Sequence, residues 1–572
     1  MRSWDHEVDV LVVGSGAGGM VSAITAKAAG LDVLVIEKSD QWGGSTAMSG
    51  GGAWLPNAPE FQRLGQDDDP KRLVDYLVAI AGDKVSRERL ERYVDAAPRM
   101  MAFLEDRSPH IKGGFFWQRG YSDYHPEKGG SPLGRGLWAK PIDRRVLGDD
   151  EPTMRGGLGR LPGLPKGMWI TGRDLHSINK IRWGGGGVGP YRTLIDMIWR
   201  TIRFRTTGER IGANGQALAT RLRLTLNDAG VPVWLETPLK RLVTDESGAV
   251  GGVESERDGR PFRIGARRGV IVATGGFEHN EAMRARYQPL IRMGWSRGNP
   301  ESQGDGQRAG EEIGAALDLM DDAWWMPVIE LPGRFAGSVA ERQYPGQYIV
   351  NGAGKRFVNE ASPYTDFGRA QITGHESGVP HIPAWMVIDD RAWKRSIMLG
   401  HFPGSPMPRD WLKSGLVKRA GTIEELARQI GVPEDALAAT HERFNRFARH
   451  ARDEDFHRGV SPYDNYYADR TQPNPNLAEV NQPPYYAFAI YPGDLGTKGG
   501  LLTDENARVL REDGTAIPGL YACGNASSSV MGHDYAGPGA TIGPAMTFGW
   551  VAARHIADAP RAASPKTEVE AV

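Results

Sequence analysis

The chain has 572 residues, with 69 Lys and Arg against 70 Asp and Glu, a formal net charge of −1 and a single cysteine, Cys523. That length exceeds one ordinary core, so two or more domains are expected. The balanced charge argues against nucleic-acid binding, and one cysteine excludes an internal disulfide, which fits a reducing compartment. The opening "MRSWDHEVDV" carries acids where a signal peptide would be basic and then apolar. No apolar run reaches the roughly 18–20 residues of a membrane span. A cytoplasmic protein is expected, at most peripheral to a membrane.

In chain order, Val8 to Val13 is a short apolar run, as in a strand buried on both faces. The loop Gly14-Ser15-Gly16-Ala17-Gly18-Gly19 follows and contains G-x-G-x-x-G. Helix formers run from Met20 to Ala29, with Gly30 as a stop. A second strand, Val33 to Ile36, ends in Glu37-Lys38. This spacing is the dinucleotide fingerprint: glycines admit a pyrophosphate to the helix N-terminus, and Glu37 accepts the ribose hydroxyls. The fingerprint alone does not separate NAD from FAD.

A second glycine- and hydroxyl-rich loop, "SDQWGGSTAMSGGGAWLP", follows directly and contains Gly44, Ser45, Thr46, Ser49, Gly50 and Gly51. It resembles the loop that lies along the cofactor in flavoproteins of the succinate dehydrogenase and fumarate reductase superfamily. Some members carry a covalently attached histidine where Ser45 and Thr46 stand, so the resemblance implies non-covalent FAD. Residues 239–256 read as a β-meander. "RRGVIVATGGFEHN" is a strand running into Ala273-Thr274-Gly275, and "GLYACGNAS" is a strand ending in Gly524-Asn525. Both are expected against the cofactor; Cys523, inside the second, reads as a small buried residue.

The texture changes between about 300 and 480. Asp305, in Gly304-Asp305-Gly306, opens a helix and is expected to reach the cofactor. "GQYIVNGAGKRFVNEASPYTDFGRA" reads as a hairpin and then a loop bearing Tyr364, and "TIEELARQIGVPEDALAATHERFNRFARH" as a helical pair capped by Thr422. Residues 140–210 contain "YRTLIDMIWRTIRFRTTGERI", with Arg192, Arg200, Arg203 and Arg205 among seven apolar residues. The preferred reading is a helix packed on the body with snorkelling arginines; the alternative is a peripheral contact of residues 190–206 with anionic lipid on the inner membrane face. Near the C-terminus, "GHDYAGPGATIGPAMTFGW" places Tyr535 in a glycine-rich loop that runs into a helix, whose start near Ala540 and Ile542 is expected to face the flavin.

With these strings, and with "YSDYHPE", "YDNYY" and "DLGTKGGLLTDENARVLREDGTAIPGLYACGNAS", the chain resembles the FAD-dependent 3-ketosteroid Δ1-dehydrogenases over nearly its whole length. The resemblance implies an α/β fold: a Rossmann-like FAD-binding domain from both chain ends, 1–300 and 481–560, around an inserted α+β catalytic domain, 301–480, with a tail at 561–572. It implies a chemistry as well. Tyr535 and the Gly539 amide would bind the steroid C3 carbonyl, Tyr364 would remove a C2 proton assisted by Tyr124, and flavin N5 would take the C1 hydride. An external acceptor such as a quinone would then reoxidise the enzyme. Two donors on the carbonyl oxygen form an oxyanion hole, worth about 3–4 kcal/mol each. Trp324, Trp325, Phe115, Phe116 and Trp117 are candidates for a flat apolar substrate pocket. A fumarate reductase-like enzyme, a Δ4-(5α)-dehydrogenase and a steroid-binding flavoprotein without catalysis are the rival readings. The first lacks a convincing dicarboxylate clamp here, and the tyrosine set argues against the others.

Overall fold

The computed structural model describes residues 3–157, 169–183 and 187–559. The tail at 561–572 and, within the 140–210 segment, residues 158–168 and 184–186 lie outside the described residues. The first sheet runs in the order Arg508–Leu510, Ala516–Ala522, Arg260–Val272, His6–Val13, Val33–Ile36, Val233–Trp234. All neighbours are parallel except the first pair. Val10 to Val13 are at most 3% exposed, as a strand covered on both faces requires. The expected meander is present: Val250–Arg257 pairs antiparallel with both Arg241–Thr244 and Arg260–Val272.

The helix Ala17–Ala28 lies against Ile542–Asp558, so the two chain ends share one layer. A Cβ on Gly18 would stand 2.8 Å from the Ala545 carbonyl, and one on Gly549 2.5 Å from the Gly18 carbonyl. Only glycines allow the backbones this close.

The second sheet is antiparallel and runs Arg334–Gly337, Ala323–Leu331, Tyr485–Thr497, Ala384–Asp389, Gln347–Val350, with Val417–Ala420 also paired to Tyr485–Thr497. Tyr485–Thr497 lies in the stretch expected to return to the first sheet from 481. Its pairing makes it the spine of the second sheet instead, and the chain rejoins the first sheet only with Arg508–Leu510 and Ala516–Ala522. The expected hairpin after Gly346 is also different: Gln347–Val350 pairs with Ala384–Asp389, not with the residues that follow it. Tyr364 is not in a loop but is the first residue of the helix Tyr364–Glu376, which starts after Pro363 and carries Asp366 in its first turn. The helical pair is Ile423–Ile430 and Glu434–Arg449. The Thr422 hydroxyl accepts from the Glu425 amide while the Glu425 carboxylate accepts from the Gly421 amide, closing the N-terminus from both sides.

A third, small sheet of Gly52–Trp54, Gly136–Ala139 and Phe115–Trp117 completes the wall where the first two sheets meet the site.

Candidate active site

A cavity of about 1320 Å³ runs from the fingerprint loop to the tyrosines, larger than an ordinary single-ligand pocket. At one end, Glu37 Oε2 accepts from the Ser15 amide (3.1 Å) and hydroxyl (2.6 Å), and its Oε1 accepts from the Ser39 amide (3.2 Å). This fixes the carboxylate at the end of its strand. The fingerprint glycines divide the work. A Cβ on Gly14 would stand 2.4 Å from the Ala273 carbonyl and one on Gly19 2.0 Å from the Gly14 carbonyl, whereas Gly16 meets nothing nearer than the Thr46 hydroxyl at 3.7 Å. Two of these glycines hold backbones together, and the third leaves open the approach to the helix N-terminus.

Ser45, Thr46, Ser49, Gly50, Gly51, Thr274, Gly275, Gly524, Asn525 and Ile542 all line this cavity, together with Gly44, Ala17, Gly18 and Ala273. The Thr274 hydroxyl is buried without a hydrogen-bond partner, so it has a donor and an acceptor left for a ligand. An open pyrophosphate approach, an oriented ribose acceptor and an orphan hydroxyl fit a dinucleotide. Two of the expected cofactor residues stand behind the wall. Gly19 packs on Gly14, and the Ala540 amide closes a turn on the Gly537 carbonyl at 3.0 Å. Asp305 lines the cavity, but its carboxylate bridges Lys38 (2.8 Å) and Arg308 (2.8 Å), so it positions Lys38 beside Glu37. Cys523 is buried against Gly18, and burial pushes its thiol up to about 12, as an inert core residue.

At the other end, three tyrosines from distant segments meet edge to face. Ring centroids are 5.5 Å apart for Tyr124 and Tyr364, 5.1 Å for Tyr124 and Tyr535, and 5.7 Å for Tyr364 and Tyr535. The nearby Tyr121 instead stacks on Tyr466 at 4.3 Å. The Tyr535 hydroxyl is 2.9 Å from the Thr541 hydroxyl. Burial raises the Tyr535 hydroxyl above its ordinary value, opposed by hydrogen bonding toward Thr541, Tyr364 and the Gly539 amide, so these groups converge on one point. Gly539 is required twice: its φ is +92°, and a Cβ would stand 2.5 Å from the Gly52 carbonyl carbon.

The Tyr124 hydroxyl is buried and makes no close hydrogen bond, but it lies near enough to the Tyr364 hydroxyl to oppose the rise that burial causes there. The two rings cross at 75°. Burial pushes the Tyr364 and Tyr124 hydroxyls well above the usual phenol value. Of the aromatic candidates for the substrate pocket, Phe116 lines the cavity. Trp324 packs behind Tyr535 at 4.7 Å and donates to Asn525 Oδ1, while Trp325 donates to Asp322.

Two buried charge pairs flank Tyr124. Asp123 accepts from Trp54 Nε1 (2.8 Å), the Ser131 amide and Arg135; His125 Nε2 meets Asp534 Oδ1 at 2.7 Å, and Asp534 Oδ1 also accepts from the Tyr535 amide at 2.8 Å. Burial alone would depress His125, but its hydrogen bonds to Asp534 and Glu127 raise it, to about 9. Asp123 and His125 lie in "YSDYHPE", Asp534 and Thr541 in "GHDYAGPGATIGPAMTFGW", and Tyr463 (packed on Tyr124 at 4.8 Å) in "YDNYY", but nothing within those strings marks the contacts they make.

A dinucleotide cradle beside a buried cluster of three tyrosines defines a dinucleotide-dependent oxidoreductase. Residues 9–542 match the FAD binding domain family. The chain is 47% identical over 565 residues to 3-oxosteroid 1-dehydrogenase of Mycobacterium tuberculosis strain ATCC 25618 / H37Rv, covering 97% of this chain and 99% of that one. It is 46% identical to the enzyme of the same name from Mycolicibacterium smegmatis, covering 98% and 99%. The 3-ketosteroid Δ1-dehydrogenase of Sterolibacterium denitrificans, solved with 1,4-androstadiene-3,17-dione, superposes with a TM-score of 0.88 at 39% identity, covering 96% of this chain and 99% of that one. The chain belongs to the 3-oxosteroid 1-dehydrogenase family of FAD-dependent oxidoreductases.

Proposed function

We propose that the protein introduces a C1–C2 double bond into 3-ketosteroids. The observation that carries this reading is the meeting of Tyr124, Tyr364, Tyr535 and Gly539 at one end of a cavity whose other end fits a dinucleotide. The Tyr535 hydroxyl and the Gly539 amide donate to the C3 carbonyl oxygen and stabilise the charge that builds there. With that charge held, the C2 proton passes to the Tyr364 oxygen, and Tyr124 donates its free hydrogen to the same oxygen. Bound FAD, held by the fingerprint loop, Glu37, Thr46 and Thr274, supplies the acceptor for the C1 hydride. The substrate loses one proton and one hydride, and an external acceptor, a quinone or similar carrier, takes up the two electrons.

Anaerobic addition of androst-4-ene-3,17-dione is expected to bleach the flavin absorbance. Tyr364→Phe is expected to bind the dione, read as a spectral perturbation, and to bleach at least about a hundredfold more slowly. Bleaching by succinate, or unimpaired bleaching in Tyr364→Phe, would sink this reading.

The proposal extends to where a lipophilic substrate enters. The helix Gly189–Thr207 packs through Pro190, Met197 and Thr201 and exposes Tyr191, Leu194, Ile195, Ile198, Trp199 and Ile202. The preferred expectation, that its apolar residues pack on the body, is therefore corrected. Phe204, Glu209, Arg210 and Ile211, at the end of this helix and just after it, line the main cavity. No helix among the described residues is long and apolar enough to cross a membrane. The exposed stripe, flanked by Arg192 and Arg205, instead suits a peripheral contact with anionic lipid beside the cavity mouth.

A further inference from the structure

A second cavity, of about 750 Å³, adjoins the first and shares Phe116, Trp169 and Thr171 with it. Six cationic side chains line it: Arg119, Lys140, Arg173, Lys180, Arg200 and Arg470. Its one carboxylate, Asp174, is already taken by Arg200 (2.9 and 3.2 Å) and by the Thr171 amide and hydroxyl (both 2.9 Å). Among the described residues no carboxylate pairs with Arg119, Arg173, Lys180 or Arg470, so the cavity holds an uncompensated positive charge. Burial and the nearby Arg470 hold the Lys180 ammonium below its ordinary value. Burial, Lys180 and Arg470 bring His176 down to about 4. An anion would relieve both.

The position of this cavity follows from the small sheet. Gly52, against which Gly539 packs, is paired with Trp138, and Trp138 with Phe116. Phe116 therefore lies two strand spacings, about 10 Å, from the carbonyl-polarising end. That is comparable with the length of a tetracyclic nucleus. Stacked rings mark the same path: Tyr121 on Tyr466 at 4.3 Å, then Tyr466 on His176 at 5.8 Å. A steroid with C3 at Tyr535 and Gly539 would point its C17 end at Phe116, over which Arg173 sits at 5.8 Å.

We propose that this cationic cavity binds an anionic group at the end of the steroid C17 side chain, so that the favoured substrates are 3-ketosteroids with an acidic side chain. This rests on the dehydrogenase reading above and names its substrate class. The test compares a 3-oxo-4-ene steroid whose side chain ends in a carboxylate with its methyl ester, using the FAD-loaded enzyme. The acid is expected to have about tenfold higher kcat/KM, an advantage that fades with added salt. Lys180→Gln and Arg470→Gln are each expected to raise KM for the acid about tenfold with little change for the ester. Equal kcat/KM for acid and ester, or variants that weaken both alike, would overturn the proposal. So would variants that lose adhesion to phosphatidylglycerol vesicles while the acid-to-ester ratio stays fixed; the cavity would then hold a lipid headgroup. If acid, ester and the C19 dione all fail to react, the dehydrogenase reading itself falls and takes this inference with it, an outcome distinct from equal turnover of acid and ester.

Discussion

In the proposed reaction Tyr364 would act as a base in surroundings that oppose its ionisation. Burial, and then the neighbouring Tyr535 and Tyr121, push its hydroxyl well above the usual phenol value. At neutral pH it is almost wholly protonated, so the competent form is a minor fraction that grows with pH. The raised value has a compensation: a stronger base takes a carbon acid's proton more readily once Tyr535 and Gly539 stabilise the oxygen. The expected outcome is a kcat/KM that climbs about tenfold per pH unit from neutrality toward the alkaline side. A flat profile between pH 7 and 9, measured with the FAD-saturated enzyme, would remove Tyr364 from the role of base. The sequence strings located this residue, but not its surroundings. Whether a phenol is held high or low depends on what buries it, and Tyr121, Tyr124, Tyr463 and Tyr535 come from three separate segments.

At the scale of elements, the fingerprint unit was readable because strand, loop and helix are contiguous and each glycine has a local task. Tyr485–Thr497 was not, because its place depends on partners far away in the chain, Ala323–Leu331 and Ala384–Asp389. The helix Gly189–Thr207 was readable as a helix but not by its faces. Apolar residues occur on most of its circumference, and only tertiary contact shows that Met197 turns inward while Ile195, Ile198 and Trp199 turn outward. Replacing those three by serine is expected to abolish co-sedimentation with anionic vesicles while androst-4-ene-3,17-dione in solution is still turned over. Co-sedimentation that survives the triple substitution would end the membrane reading. A wild-type protein that ignores vesicles but forms dimers dissociated by the substitution would assign the stripe to a second copy.

Across the whole molecule, the proposed catalysis requires residues 124, 364 and 535 to be held together although no two of them share a strand or a helix. The tie is electrostatic and buried: His125 beside Tyr124 meets Asp534 beside Tyr535, with Glu127, Lys128 and Asp366 facing the pair. His125 titrates near 9 in the folded protein, against about 6.5 when unfolded. A group raised in this way contributes its full stability below the unfolded value and loses it as pH climbs through the folded one. The shift corresponds to about 3 kcal/mol. Asp534 is moved in the opposite direction: burial alone would raise it, but its hydrogen bond to His125 and the charges of His125 and Lys128 hold it well below the usual carboxylate range, so its share persists down into acid. His125→Gln is therefore expected to cost most near pH 6 and progressively less as pH approaches 10, measured as the difference in denaturant unfolding free energy between wild type and variant. A difference that stays constant between pH 6 and 10 would mean that His125 contributes by packing alone. The tyrosines would then be held together by the Asp123–Arg135 pair and the ring contacts.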